Sequence, residues 1–113
     1  MAKPFFRQNI PVGSTLTIKV SEVDGDTFGA SGAIEDPDQV KTSFTDSKLR
    51  AGASMNLSKV GAYVGRIDIV FAKAATAGLH MEVQKPTGSK LVYDEQISRP
   101  SNLDRTHIML IVG

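Results

Sequence analysis

Hydrophobic and polar residues alternate with a period of two along most of the chain, which is the pattern of β-strands that bury one face. The segments 16–20 and 79–83 show this most clearly, since every second residue in them is apolar. The pattern also predicts strands at 28–34, 40–44, 55–57, 63–71 and 91–97. Asp46 is predicted to cap one helical turn through Arg50, and Gly52 would end it early.

Turn signals separate these segments. Asp24–Gly25 lies between two alternating segments and predicts a two-residue hairpin, because a type I′ turn needs positive φ at both central positions. Residues 35–38 contain a proline and predict a second turn, and residues 86–89 predict a third. The segments 74–78 and 98–105 are predicted to be loops.

Two of the predicted strands depart from simple alternation of apolar and polar residues. Gly65 interrupts the segment 63–71, where a missing side chain indicates a bend or a close approach of two backbones. Residues 108–112 form a continuous apolar run at the end of the last segment, 107–112. Such a run is typical of a strand that is covered on both faces in the centre of a sheet.

Together the segments predict an all-β fold, an antiparallel β-sandwich of seven or eight strands with jelly-roll or immunoglobulin-like architecture. Residues 1–12 are predicted to be an N-terminal arm or edge strand, and residues 13–113 a single sandwich domain. The predicted core consists of Leu16, Ile18, Val20, Phe28, Ile67, Ile69, Phe71, Leu79, Met81, Val83, Ile108 and Leu110.

Composition narrows the range of partners. The 113 residues include 13 basic and 12 acidic side chains, so the formal net charge is +1 and provides no long-range field for nucleic acid or an anionic membrane. The absence of cysteine excludes disulfides and thiolate chemistry, and it fits either a reducing compartment or a particle that must survive changing redox conditions. No N-terminal apolar stretch has the length of a secretion signal, and no apolar run spans a bilayer. We therefore expect a protein made in the cytoplasm, without nucleic-acid or membrane partners.

Catalytic motifs are missing from the sequence. It contains neither the Gly-x-Ser-x-Gly nucleophile pattern nor a phosphate-binding loop followed by lysine. The two histidines, His80 and His107, lie in predicted strands, and a catalytic or zinc site would need further ligands beside them. We predict no catalytic residues, no cofactor and no enzymatic activity.

Aspartates cluster in two of the predicted turns. Asp24 and Asp26 belong to the first, and Asp36 and Asp38 to the second. Calcium binds several oxygens that converge from loops, but the first turn lacks the third acidic or amide residue and the distal glutamate of a calcium loop. The two turns also lie at opposite ends of one predicted strand, roughly 25 Å apart. We predict no metal, interpret the aspartates as turn-stabilising residues, and keep all four as candidate ligand-loop residues.

The N-terminal segment contains two adjacent aromatic residues, Phe5 and Phe6, followed by Arg7. Adjacent residues of an extended segment point to opposite sides, so one aromatic ring can face its own core while the other meets a neighbouring molecule. The segment is predicted to close one sheet as a strand, or alternatively to dock on a neighbouring subunit. These three residues are the candidate protein interface.

In length, strand pattern and lack of a secretion signal, the chain resembles the small jelly-roll decoration proteins of bacteriophage capsids, which clamp neighbouring coat subunits. The resemblance implies a non-catalytic protein that stabilises an assembly by binding protein subunits, either its own copies as a homo-oligomer or coat protein, and that resides in the virion. The alternative is a lectin-like sandwich that binds carbohydrate or another ligand through the loops holding Asp24 or Asp36.

Overall fold

The computed structural model describes residues 5–24, 28–72, 75–99 and 103–113. Within these ranges the chain forms nine strands and one short helix. In chain order the elements are β1 (Phe5–Ile10), β2 (Ser14–Asp24), β3 (Phe28–Glu35), β4 (Lys41–Phe44), α1 (Asp46–Ala51), β5 (Ala53–Leu57), β6 (Gly61–Phe71), β7 (Ala75–Gln84), β8 (Lys90–Arg99) and β9 (Leu103–Val112).

The strands form two sheets that pack as a sandwich, so the all-β sandwich prediction is confirmed. The five-stranded sheet has the order β1-β9-β6-β3-β4, and the four-stranded sheet has the order β5-β2-β7-β8. Neighbouring strands are antiparallel except β1 and β9, which are parallel. The described part has nine strands rather than seven or eight, because the N-terminal segment forms β1 at the edge of the larger sheet.

The core lies between the sheets and follows the period-two pattern. Alternate residues of β2 from Ser14 to Val20 are at most 1% exposed, and alternate residues of β7 and β9 are buried in the same way. All twelve predicted core residues are buried. The alternation therefore identified the buried face of each long strand correctly.

The predicted hairpin at Asp24–Gly25 is wrong. β2 pairs with β5 and β7 in the four-stranded sheet, whereas β3 pairs with β4 and β6 in the five-stranded sheet. The chain thus crosses from one sheet to the other, and the two strands bury their apolar faces within the same core from opposite sides. Residues 25–27 lie outside the described ranges.

The two other predicted turns are confirmed as antiparallel hairpin connections. Between β3 and β4, the N–H of Asp36 donates to the carbonyl of Val40 at 3.0 Å, and Gln39 adopts a φ of 66°. Between β7 and β8, the N–H of Lys85 donates to the carbonyl of Ser89 at 2.8 Å, and Gly88 has a φ of 95°.

Three predictions about the second half of the chain need correction. Residues 75–78 belong to β7 rather than to a loop, because Ala75 and Ala77 are small core residues that pair with β8. β8 continues to Arg99 and β9 begins at Leu103, which shortens the predicted loop at 98–105. Finally, β9 is an interior strand, but its exposure alternates: Met109 and Ile111 on its outer face are only half-buried.

The helix α1 has a capping residue at each end and packs against the core. The predicted cap Asp46 is wrong, since it is the first residue of the helix and Thr45 is the N-cap, whose side chain accepts the N–H of Lys48. Gly52 ends the helix with a φ of 102°, as predicted. Leu49 is fully buried. The Asp46 carboxylate accepts the backbone N–H of Ala30 at 2.8 Å, which attaches the helix to β3.

We expect Asp46→Ala to lower the free energy of unfolding by about 1–2 kcal/mol, because it leaves the partly buried N–H of Ala30 without its acceptor. Asp46→Asn retains an acceptor oxygen and should recover part of this loss. Urea denaturation followed by circular dichroism measures the difference. The exposed neighbour Lys48→Ala serves as the control and should change stability by less than about 0.5 kcal/mol; equal losses for Asp46→Ala and Lys48→Ala would contradict the anchoring role.

Candidate functional site

The outer face of the four-stranded sheet is polar. Its described outward positions on β2, β5, β7 and β8 carry mainly threonine, serine and charged or amide side chains, with Val23 and Val92 as the large apolar exceptions. Cross-strand hydrogen bonds join several of them, such as Thr76 to Ser98 at 2.7 Å. This face is suited to contact with water.

The outer face of the five-stranded sheet is different, because β6 and β9 present apolar side chains there. Val64, Val70 and Leu103 are 46%, 55% and 40% exposed. The register places Val70 opposite Leu103 and Val64 opposite Met109. We call this surface the β6–β9 face; its members are Ala62, Val64, Arg66, Asp68, Val70, Leu103, Arg105, His107, Met109 and Ile111.

A charged band crosses the middle of the β6–β9 face and separates its two apolar ends. Arg105 Nε donates to Asp68 Oδ1 at 2.7 Å, and Arg66 Nε donates to Asp68 Oδ2 at 3.2 Å. Partial burial raises the pKa of Asp68, but the hydrogen bonds from Arg105 and Arg66 outweigh burial and hold this pKa below its ordinary value of 3.8. His107 lies beside Arg66 in the register.

The lowered pKa of Asp68 predicts an acid-dependent loss of stability. A carboxyl group whose pKa is lower in the folded state contributes stability above its unfolded value of 3.8, and this contribution is lost as the pH falls through the folded pKa. Asp36 and Asp46 also have lowered pKa values and add to the effect in the same direction. Urea midpoints measured between pH 2 and pH 5 should rise more steeply with pH for the natural chain than for Asp68→Asn; parallel curves would contradict the assignment.

The predicted interface residues Phe5, Phe6 and Arg7 lie in β1, directly beside the β6–β9 face. Their register partners on β9 are His107, Ile108 and Met109, respectively. The backbone of this segment is described, whereas its side chains lie outside the description. The interface role of these three residues stays a prediction.

The structure separates the two acidic turns. Asp24 ends β2, Asp26 lies outside the described residues, and Asp36 and Asp38 follow the far end of β3. Lys59 Nζ lies 2.8 Å from a carboxylate oxygen of Asp36 and 2.8 Å from one of Asp38. The hydrogen bonds that Lys59 donates, first the one to Asp36 and then the one to Asp38, raise the pKa of Lys59 above its ordinary value.

The side chain of Asp36 also shapes the β3–β4 turn, as expected from the sequence. Its Oδ1 atom accepts the backbone N–H groups of Asp38 at 2.8 Å and Val40 at 3.0 Å. The hydrogen bond from Lys59 is the main cause of its lowered pKa, with the N–H of Val40 next. No group of three or more acidic or histidine side chains in the described ranges is arranged to hold a metal ion.

The two histidines lie on opposite outer faces of the sandwich. His80 on β7 contacts Asp94 through Nδ1, and its Nε2 lies 3.7 Å from Glu82. His107 on β9 belongs to the β6–β9 face. The structure therefore does not bring the two imidazoles together.

A further polar cluster, which the sequence did not reveal, lies on the core side of β8 and β9. The Tyr93 hydroxyl donates to the Glu95 carboxylate. Burial, followed by the nearby charges of Glu95 and Asp104, raises the pKa of Tyr93 above its ordinary value of 10.0. Tyr93 therefore remains a protonated donor at neutral pH.

The sequence indicates the apolar residues of the β6–β9 face by their positions in the alternating pattern, although no motif marks them. Val64 and Val70 have the parity of the outward positions of β6, and the run 108–112 supplies apolar residues of both parities. Only the register shows that these residues lie side by side.

No helix in the described ranges is long and apolar enough to span a membrane. A comparison with protein-family models, curated proteins and solved structures finds no match to this chain.

Proposed function

We propose that this chain is a non-catalytic structural protein that binds neighbouring protein subunits and stabilises an assembly, such as the capsid of a virion. The exposed apolar ends of the β6–β9 face are the observation that supports this role. Exposed apolar patches that are bordered by polar residues, as each of these two ends is, are typical of protein interfaces. The polar outer face of the other sheet supplies the contrast within the same molecule.

Burial of apolar surface favours the binding of a partner at the β6–β9 face. Each square ångström of apolar surface that leaves water contributes roughly 25 cal/mol, so a partner that covers the β6–β9 face gains free energy which the isolated chain does not. The charged band adds specificity, because its arginines need complementary groups across the contact. The free edge of β1, with Phe5, Phe6 and Arg7, offers a second contact by strand addition.

Density-gradient sedimentation of a lysate from cells that naturally make the protein tests this proposal. The chain should travel with large particles in a density gradient, far ahead of a 12.1 kDa monomer. Val70→Lys should shift the protein toward the light fractions, because a charge would replace an apolar contact. Val92→Lys is the matched control, since Val92 is 54% exposed and Val70 is 55% exposed, and Val92 lies on the polar face. A natural chain that stays in the light fractions would overturn the proposal.

A further inference from the structure

We propose that the β6–β9 face binds the same face of a second copy of this chain. The two copies are related by a two-fold axis that lies in the plane between the two faces and runs perpendicular to the strands. This inference rests on the proposed function in one respect, that the face is a protein interface. It goes further by identifying the occupant as a second copy.

The order of outward residues on β6 supports a second copy. After Ala62 at one end of the strand, the outward residues are Val64, Arg66, Asp68 and Val70 in order. A two-fold axis through the middle of this series reverses the order in the second copy. Val64 then lies over the partner's Val70, and Arg66 lies over the partner's Asp68. Each apolar residue meets an apolar one, and each charge meets its opposite.

The outward residues of the neighbouring strand, β9, are arranged around the same centre as those of β6. The outward residues of β9 from Leu103 through Arg105 and His107 to Met109 also have apolar residues at both ends, and Ile111 extends beyond this series beside Ala62 of β6. The middle of this series is Thr106, and the middle of the β6 series is Ile67. These two residues are register partners. A single axis therefore serves both strands. On β9 it places Met109 over the partner's Leu103 and Arg105 over the partner's His107, so the complementarity of opposite charges lies on β6.

The outer face of the whole five-stranded sheet, with the β6–β9 face at its centre, approaches the size that a stable dimer needs. Strands lie about 4.8 Å apart and rise about 3.3 Å per residue, so strands of 6, 10, 11, 8 and 4 residues cover roughly 600 Å². Standard interfaces bury about 800 Å² on each partner, and two sheet faces pack about 10 Å apart. A partner of a different sequence would not require β6 to be complementary to its own reverse, so this order favours a second copy.

Charge exchange at the two central positions of β6 tests the geometry. Arg66→Glu places a glutamate over the partner's Asp68, and Asp68→Lys places a lysine over the partner's Arg66. Each variant alone should dissociate at least about tenfold more readily than the natural chain. When the two variants are mixed, both central contacts join opposite charges, and dimers should form again.

Sedimentation velocity on the purified full-length chain measures these states, with masses of 12.1 kDa for the monomer and about twice that for the dimer. Circular dichroism checks that each variant folds, and Val92→Lys should dimerise like the natural chain. If Asp68→Lys does not fold, the surface pair Val64→Lys and Val70→Asp repeats the mixing test, because these positions also lie over each other.

Three results would overturn the inference: a natural chain that is monomeric at millimolar concentration, single variants that dimerise as the natural chain does, or mixed variants that remain monomeric. The two proposals fail separately. A purified monomer that nevertheless sediments with large particles in its native cells would remove the two-fold dimer and leave the assembly role in place. A purified dimer that stays in the light fractions would do the opposite.

Discussion

Gly65→Ala is expected to destabilise the chain by about 3 kcal/mol, because the added methyl group has no space in the middle of the five-stranded sheet. A Cβ atom at this position would lie 2.7 Å from Ile34 Cγ1 and 2.9 Å from Ile34 Cα, and closer still to the carbonyl oxygen of Ala33. Two of these atoms belong to the backbone of β3, which is hydrogen-bonded to β6 and β4 and cannot move aside. The close approach that the sequence indicated at this glycine is therefore confirmed.

Gly29→Ala is the matched control for this prediction. Gly29 lies on β3, the strand that Gly65 approaches, but a Cβ atom there would meet no heavy atom within 4 Å. Its replacement should change stability by less than about 0.5 kcal/mol in either direction. Urea denaturation monitored by circular dichroism compares the two variants. A similar loss for both would show that glycine is needed for backbone freedom rather than for space.

Phe71→Ala is expected to lower the free energy of unfolding by about 3–5 kcal/mol, which is typical of removing a buried aromatic side chain. Phe71 is 2% exposed, and its ring centroid lies 6.0 Å from that of Phe28. The Arg50 guanidinium carbon lies 4.3 Å from the centroid of Phe28, so this aromatic pair also carries a cation–π contact from the helix. Loss of Phe71 leaves a cavity under Phe28 and weakens the support of α1.

Val92→Ala is the control for the aromatic truncation, since Val92 is 54% exposed on the polar face. Its effect should stay below about 1 kcal/mol, the range of strand propensities. Thermal unfolding and urea denaturation should give the same ranking of the two variants. A loss of less than about 1 kcal/mol for Phe71→Ala would mean that neighbouring side chains fill the space, contrary to a tightly packed core.

The sequence predicted those features of the fold that depend on the contrast between core and solvent. Leu16 and Ile18 on β2 and Ile67 and Ile69 on β6 alternate with polar or exposed residues because each strand has one buried face. Strand pairing was not accessible in this way. Asp24–Gly25 has the chemistry of a tight hairpin, but the sheet to which β3 belongs is decided by packing across the whole core.

The candidate interface was only partly predictable for the same reason. Alternation assigns Val64 and Val70 to the outer face of β6, yet nothing in the local sequence shows that Leu103 and Met109 lie beside them. Apolar residues on both faces of β9 suggested a strand covered on two sides. Within the described ranges only the core side of β9 is fully buried, and its outer side is part of the surface for which a partner is proposed.

The position of β9 has a consequence for folding during synthesis. This strand leaves the ribosome last among the nine, yet it lies between β1 and β6. Until it emerges, β1 has no neighbour in the sheet, and β6 exposes a free edge to other nascent chains. The five-stranded sheet therefore closes only after β9 has been translated and has left the ribosome. Slowing the emergence of β9 should lengthen the interval in which the chain depends on chaperones.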